Sequence, residues 1–561
     1  MVRAVVLLLL TSMTSLAVFA QVDYAISTMS GTPAASICGS GFAETTMDIA
    51  VILDRDHCDF KQPRLLRMAA ALNLTTLRVG GTQGDFLFYN LTSNEDPPMW
   101  PPPAPYTRVL SARMLQRAVS FISSIPRLHF VFGMNAGPGP RDPVTKRWRP
   151  DAARALLQWF RSQQAPLVGL EFGNELNLFL YNMPPGDVYN GTQIAADLAT
   201  FFQLVREEGT ARTTWEIFCC DVAYMPIIGE SWPFMKEFAG VNGSLTPVQA
   251  TGGAVTWHFY PLLGGHYPSK DDPLKATPEK LFSPLVLNQV GSWADHLAAD
   301  FNGAAVVPAF ILGETGSAVG GGQAGVSDRF CDLVEYIDKL GQMAVRGQRR
   351  VWRQTLCGSP DQYYGLISHD LTARPSYFAL LLFRTLLAPC ASQTCQSNVN
   401  VYSMSVNATM PPSTIWGPSL RSYGFGSGNE SACTSPPRGE IGHRRPLGCL
   451  DYWRVVLMIN LAEEATPING TSLDIEGHVP YANGTIVRVA WFALTAPTIN
   501  ATTVELNGIV LNVTDAGNAP AMVPVSVWAA VEHVHTTSRL RFLGQSILPR
   551  SVNFIGLPYH G

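Results

Sequence analysis

Leu170-Glu171-Phe172-Gly173-Asn174-Glu175 and Phe310-Ile311-Leu312-Gly313-Glu314-Thr315 share one pattern: an apolar, strand-like run breaks at a glycine and then presents a carboxylate. In a (β/α)8 barrel the strands are buried on both faces and read as continuous apolar runs, while functional side chains sit at their C-terminal ends. Glu175 and Glu314 fit that position. Working outward, strand-like runs are predicted at Phe42 to Asp48, Leu74 to Gly80, Leu128 to Asn135, Leu167 to Phe172, Thr214 to Asp221, Ala254 to Phe259, Val306 to Gly313 and Tyr363 to His369. Helix-like segments lie between them, for example Pro63 to Leu72, Ala112 to Ser123, Asp151 to Gln163 and Gln193 to Glu208. This alternation predicts an α/β fold, a (β/α)8 TIM barrel over residues 42–388.

If Glu175 and Glu314 end the fourth and seventh strands, each βα unit averages about 46 residues, against roughly 31 in a lean barrel of about 250 residues. The excess is assigned to loops, a proline-rich one at 94–105 and another at 264–284. After the helix-like run Tyr377 to Leu387 the texture changes to cysteines and short alternating runs: Arg454 to Asn460, Thr485 to Leu494, Thr503 to Val513 and Val523 to Val531. These predict an accessory C-terminal β-sandwich over 389–561. Residues 21–41, with a strand at Val22 to Met29, are expected to join it and tie the chain ends together.

The chain has 561 residues, 47% hydrophobic and 15% charged, with a net charge of −4, enough for a sizeable core and with nothing that suggests nucleic acid. Arg3, the apolar run Ala4 to Leu10 and small-residue spacing at Val18 and Ala20 read as a secretory signal over residues 1–20, since the apolar part is short for a membrane span. Ten cysteines and N-x-[ST] acceptors at Asn73, Asn90, Asn190, Asn242, Asn407, Asn429, Asn469, Asn483, Asn500 and Asn512 suit an oxidising, glycosylating compartment. The expected location is extracellular, cell wall or matrix, with a lysosome or vacuole as the other option. No transmembrane anchor is expected beyond the signal, and the chain is expected to be a monomer, with peripheral membrane or matrix association left open. Cys433 with Cys449 and Cys390 with Cys395 are disulfide candidates, whereas Cys219 and Cys220 read as strand-borne thiols.

Glycosidic hydrolysis needs one carboxyl group that donates a proton to the leaving oxygen and a second that attacks or stabilises the anomeric carbon. Either glutamate alone reads equally well as a surface or ion-pair carboxylate; two in matching strand-glycine-glutamate settings point to catalysis. Asn174 beside Glu175 suits an amide that grips a sugar 2-hydroxyl next to the acid/base. Glu175 is therefore expected to be the acid/base and Glu314 the nucleophile, with long side chains closing the gap across the barrel mouth and stereochemistry retained. Glu171 is expected to point into the barrel and pair with a basic or polar neighbour. No G-x-S-x-G elbow, H-E-x-x-H or CxxC pair is present, and His533 and His535 are expected to flank a sandwich strand, so neither metal nor cofactor is expected.

Glu171-Phe172-Gly173-Asn174-Glu175-Leu176-Asn177 resembles the acid/base motif of the heparanase-like glycoside hydrolases, which act on β-linked glucuronic acid. Leu312-Gly313-Glu314-Thr315 with Gly320-Gly321-Gly322 resembles their nucleophile motif and glycine loop. Leu77-Arg78-Val79-Gly80-Gly81-Thr82, Asn190-Gly191-Thr192-Gln193, Thr256-Trp257-His258-Phe259-Tyr260, Arg353-Gln354 and Val504-Glu505-Leu506-Asn507-Gly508 extend the likeness in order along the chain. The resemblance implies a secreted β-glucuronidase acting on a glucuronic-acid-containing glycan or glucuronide. In it Asp48 and Thr82 contact the sugar, Tyr260 orients Glu314, and the Gly320 and Gly321 amides, with Gln354 and Tyr363 or Tyr364, receive the uronate carboxylate. Tyr181, Tyr224, Pro226, Gly265 and Val319 stand where basic, amide or tyrosine groups line the cleft of the heparan-degrading animal enzyme. Their presence argues against a densely sulfated substrate, which needs guanidinium or ammonium partners. The excised linker of that enzyme is also missing between Phe88 and Thr107. A glycan-binding protein on the same scaffold, without turnover, is the alternative.

Overall fold

The computed structural model describes residues 24–29, 33–54, 56–96, 101–179, 189–209, 215–224, 234–265, 272–304, 306–387, 398–408, 420–427, 454–462, 466–467, 472–476, 481–534, 537–542 and 546–557. The signal segment 1–20, Tyr181, Pro226, Cys390, Cys395, Cys433, Cys449, His535, Asn429 and Asn469 lie outside them, as do parts of both long loops.

Eight parallel strands close into a barrel: β1 (Ala43–Asp48), β2 (Thr76–Gly80), β3 (His129–Met134), β4 (Leu167–Phe172), β5 (Glu216–Tyr224), β6 (Ala254–Phe259), β7 (Phe310–Thr315) and β8 (Arg350–Arg353). Each pairs with its sequence neighbours, β8 with β1 and β5 with β6 included, which is the topology of a TIM barrel. The strands form where apolar and β-branched residues run without a break, because both faces are covered: β2, β6 and β7 are buried at every residue. Phe330–Val345 and Pro375–Leu387 are buried nearly all round, while most outer helices carry one apolar stripe. Ala112–Ser123, for example, is capped by Ser111, whose hydroxyl accepts from Met114 N, and buries Met114, Leu115, Ala118, Val119 and Ile122.

Two strand positions differ from the sequence reading. The eighth strand is Arg350–Arg353, not Tyr363 to His369. Its four residues begin and end with arginine, which masks the strand pattern, yet Val351 and Trp352 are fully buried and Arg353 is neutralised inside by Asp332 at 2.7 Å. Leu366 and Ile367 are just as buried, but as a loop laid along residues 355–356 through the bonds Leu366 N to Thr355 O and Ile367 N to Leu356 O. The seventh strand starts at Phe310, because Val306 and Val307 are exposed, and it runs on past Gly313 so that Glu314 stands within it.

The second body is a large, mainly antiparallel sheet. In Arg454–Asn460 all seven residues are buried, since alternate side chains serve two cores. Val455, Leu457 and Ile459 join the core shared with the barrel helices, whereas Val456 and Met458 join a separate one with Val487, Val489, Val527, Ala529, Val531 and Leu540. Tyr24–Met29 lies in this sheet, antiparallel to Ser405–Ala408 and parallel to Ser472–Glu476. The stretch predicted as one strand at Thr503 to Val513 is instead a small hairpin, Glu505–Leu506 with Ile509–Val510, turning on Asn507-Gly508. Both turn residues have positive φ, +54° and +80°, as a two-residue hairpin loop requires.

Candidate active site

β2 places Arg78, fully buried, in the barrel interior. A guanidinium there must be paired on all sides, since an unpaired buried charge is very costly. Four acceptors satisfy it: Nε donates to Glu171 Oε2 at 2.6 Å, Nη1 to Glu314 Oε2 at 2.9 Å, and Nη2 to Asp221 Oδ2 at 2.6 Å and Asn174 Oδ1 at 2.9 Å. One cation thus ties together β4, β5 and β7.

Glu175 follows β4 through Gly173, at φ +75°, and itself adopts a left-handed conformation at φ +50°. A Cβ on Gly173 would meet Leu176 at 2.4 Å and Ala136 at 2.8 Å, so only glycine lets the chain turn here. The Asn174 backbone N–H donates to Asp85 Oδ2 at 2.9 Å, while Asp85 Oδ1 accepts from Ala136 N at 2.9 Å. Glu175 Oε1 lies 3.2 Å from His258 Nδ1, and His258 Nε2 lies 3.2 Å from Asp221 Oδ1. Gly313 leaves the space for that meeting: a Cβ there would stand 3.2 Å from Asp221 Oδ1 and 3.6 Å from the imidazole.

Electrostatics divides these groups into two kinds. Burial favours neutral His258, but Asp221 and Glu314 outweigh it and push the imidazole up to about 10. Burial would likewise raise Asp221, yet Arg78 and His258 hold it below its usual range. For Glu171 and Glu175 burial wins, and both are raised, Arg78 and His258 respectively opposing. Two cations, Arg78 and His258, thus face these carboxyl groups, and burial biases Glu171 and Glu175 toward holding a proton.

Glu314, at the end of β7, accepts from Arg78 and from the Tyr260 hydroxyl at 2.7 Å. One side-chain atom from each of Glu175, His258 and Glu314 lies within 4.8 Å of the others. Such a set has the ligand types that hold a cation, which would compete with the proton on the imidazole. Asp48, at the end of β1, caps Ile49–Leu53 through Ala50 N and accepts from Gln354 Nε2 at 3.0 Å; burial pushes it up to about 6. Thr82 is exposed, 3.5 Å from Asn174 Nδ2.

Gly320, Gly321 and Gly322 turn at φ +79°, +88° and +83°. Gly320 and Gly321 line a cavity of about 360 Å³ with Gly265, Gln323, Ala324, Asp361, Gln362 and Tyr363, and Tyr363 N donates to Gly321 O. Tyr363 and Tyr364 part company here. Tyr364 is buried, its ring 6.1 Å from that of Tyr260, and Gln354 is bound to Asp48 and Thr46. Tyr224 does not face the cleft; it is buried and stacked on Trp293 at 4.6 Å, so it gives no information on sulfation. Cys219 and Cys220 are not free thiols but a disulfide between adjacent residues, immediately before Asp221.

Arg78 and His258 stood in the quoted motifs without a role, and Asp221 and Asp85 were not singled out as site residues. The available signal was a charged or ionisable residue inside a run that must be buried on both faces, as in Thr76–Gly80 and Ala254–Phe259.

A closed eight-stranded parallel barrel with carboxylates converging at the strand ends, beside a β-sheet domain, is the architecture of a glycoside hydrolase. The comparisons are narrower. Residues 23–341 match the Glycosyl hydrolase family 79, N-terminal domain, and the chain belongs to that family. It is 26% identical to heparanase of Rattus norvegicus over 388 residues, covering 62% of this chain and 67% of that protein. It is 23% identical to heparanase-like protein 1 of Arabidopsis thaliana over 347 residues, covering 59% of each. Among solved structures, its fold is similar to a 4-O-alpha-L-rhamnosyl-beta-D-glucuronidase from Fusarium oxysporum, with a TM-score of 0.62, 13% identity and coverage of 95% of this chain and 100% of that one.

Proposed function

We propose that this glycosidase is a secreted, retaining enzyme that cleaves β-linked glucuronic acid from glycans, with Glu175 as acid/base and Glu314 as nucleophile. The observation that carries the reading is the facing pair itself. Glu175 and Glu314 approach within 4.8 Å in opposite surroundings, the first raised by burial, the second held as an acceptor by a guanidinium and a phenol. Retaining enzymes place their carboxyl groups about 5 to 5.5 Å apart, too close for a water between them. Glu175 gives its proton to the glycosidic oxygen as that bond to the anomeric carbon breaks, and Glu314 bonds to the same carbon. Water then attacks the glycosyl-enzyme, its proton returning to Glu175 as Glu314 leaves.

Asn174 Oδ1 is occupied by Arg78, which turns the amide Nδ2 toward Thr82 and the position of a 2-hydroxyl. The glycine turn at 320–322, with Tyr363, supplies a concavity of the kind that binds anions through backbone N–H groups and is our site for the uronate carboxylate. Secretion is supported by the N-terminal signal pattern together with the Cys58–Cys357 disulfide.

Release of a chromophore from an aryl β-glucuronide at mildly acidic pH tests the assignment. The wild type should turn over, Glu314→Gln should lose essentially all activity, and the matching aryl β-glucoside should react at least about 100-fold more slowly. Wild-type rates in Glu314→Gln would remove the nucleophile; equal rates on the two substrates would remove the uronate preference.

A further inference from the structure

The face of the accessory sheet that packs on the barrel core through Phe492 and Leu494 is left uncovered at the other end of the same strand. Along Ile486–Thr495 and Val525–Val534, Val487, Val489, Val527, Ala529 and Val531 turn inward, so their neighbours Ile486, Arg488, Ser526 and Trp528 turn outward. Trp528 is 54% exposed and Ile486 57% exposed, and Arg488 and Arg541 are exposed as well. An indole is an expensive group to leave in water at mid-strand, since most of its surface is apolar.

The strand register sets what surrounds it. Arg488 stands directly opposite Trp528 and donates to Ser526 Oγ at 2.5 Å. On the other neighbouring strand Arg541 stands opposite Ala530, one pair along. Direct cross-strand pairs lie about 5 Å apart at Cβ and diagonal pairs about 7 to 8 Å, so a guanidinium is within reach of the indole on each side. The third arginine of this face, Arg539, has the acidic Glu532 in register, whereas Arg541 has Ala530. The positive character therefore gathers around Trp528.

We propose that this face is a second glycan-binding surface, separate from the barrel mouth, that anchors an anionic, uronate-bearing polysaccharide. An aromatic platform packs against the C–H face of a pyranose ring, and the flanking guanidinium forks bind carboxylates of that ring and the next in two-bond geometry. Charge complementarity selects this occupant over a neutral glycan. The proposal rests on the uronate reading of the enzyme for the identity of the polymer, and deepens it: the barrel cuts a chain that the sheet holds.

The test uses the full-length protein with Glu314→Gln, to stop turnover, and measures binding to a glucuronic-acid-rich polysaccharide and to a neutral one at low and moderate salt. Trp528→Ala and Arg488→Ala/Arg541→Ala should each weaken binding to the acidic polymer at least 10-fold, and the arginine variant should also flatten the salt dependence. With Glu314 restored, turnover of an aryl β-glucuronide should be unchanged and the melting temperature should stay within a few degrees. Unchanged polymer affinity in both variants would overturn the proposal, as would equal affinity for neutral and acidic polymers. Self-association, or binding to phosphatidylserine vesicles in preference to polysaccharide, would overturn it in favour of another occupant. Failure of the aryl glucuronide assay alone, with polymer binding lost in the variants, would sink the catalytic reading and leave the surface standing.

Discussion

Arg78 is the residue on which the site depends. It makes four hydrogen bonds from full burial, three to carboxylates, so its removal leaves Glu171, Asp221 and Glu314 without their shared cation. Breaking a buried ion pair by deleting one partner costs about 3 to 5 kcal/mol. Arg78→Met should therefore lower unfolding free energy by roughly that amount, measured by urea denaturation, and cut kcat at least 100-fold. Arg78→Lys should recover little of the activity, because a single ammonium cannot reproduce a planar fork aimed at four acceptors. Near-wild-type kcat in the lysine variant would show that charge alone suffices. Sequence reached Glu175 and Glu314 because each ends an apolar run with a glycine before it. It did not reach Asp221 or His258, because a buried charge is recognisable only from its partner, and these partners come from strands distant in sequence.

Among the elements, the helix Phe330–Val345 supports the end of β7 from behind. Lys339 Nζ, buried, donates to Thr315 Oγ1 at 2.8 Å and Gly316 O at 3.1 Å and pairs with Glu335 at 2.6 Å. Thr315 Oγ1 in turn donates to Phe259 O, next to Tyr260, so one side chain steadies the backbone on which both Glu314 and its phenol stand. Lys339→Met should lose stability and about 10-fold in kcat. Adding Glu335→Leu removes the orphaned carboxylate and should restore most of the stability, since an apolar replacement for a buried pair is often neutral, but not kcat. Joint recovery of both would mean that the lysine has no positioning role. The strands themselves were legible where both faces are apolar, as in Leu167–Phe172 and Ala254–Phe259. Arg350–Arg353 was not, because its arginine termini are neutralised by tertiary partners such as Asp332.

For the whole molecule, Cys58–Cys357 links the loop after β1 to the loop after β8, across the seam where the barrel closes. With a sequence separation of 299 between the cysteines, the chain-entropy model assigns the bridge on the order of 6 kcal/mol. Cys58→Ser/Cys357→Ser should lower the melting temperature by several degrees; an unchanged value would mean that strand pairing alone holds the seam. Protons act on the same scale. Asp48 and Asp85 are pushed up to about 6 and about 7 by burial, so between pH ~4 and ~7 the folded chain keeps protons that the unfolded chain has released, and stability falls as pH rises. His258, raised to about 10, adds stability that is complete below its unfolded value and is lost as pH climbs to 10. Thermal unfolding followed from pH 5 to 9 should therefore show a falling melting temperature; a flat or rising profile would contradict the burial of these charges.

The most direct test is the stereochemistry of the first product. Proton NMR of wild-type enzyme and an aryl β-glucuronide, read within the first minutes, should show the β-anomer of glucuronic acid appearing before mutarotation brings in the α-anomer. An α-anomer formed first would mean that water, not Glu314, attacks the sugar, and would contradict the paired-glutamate account.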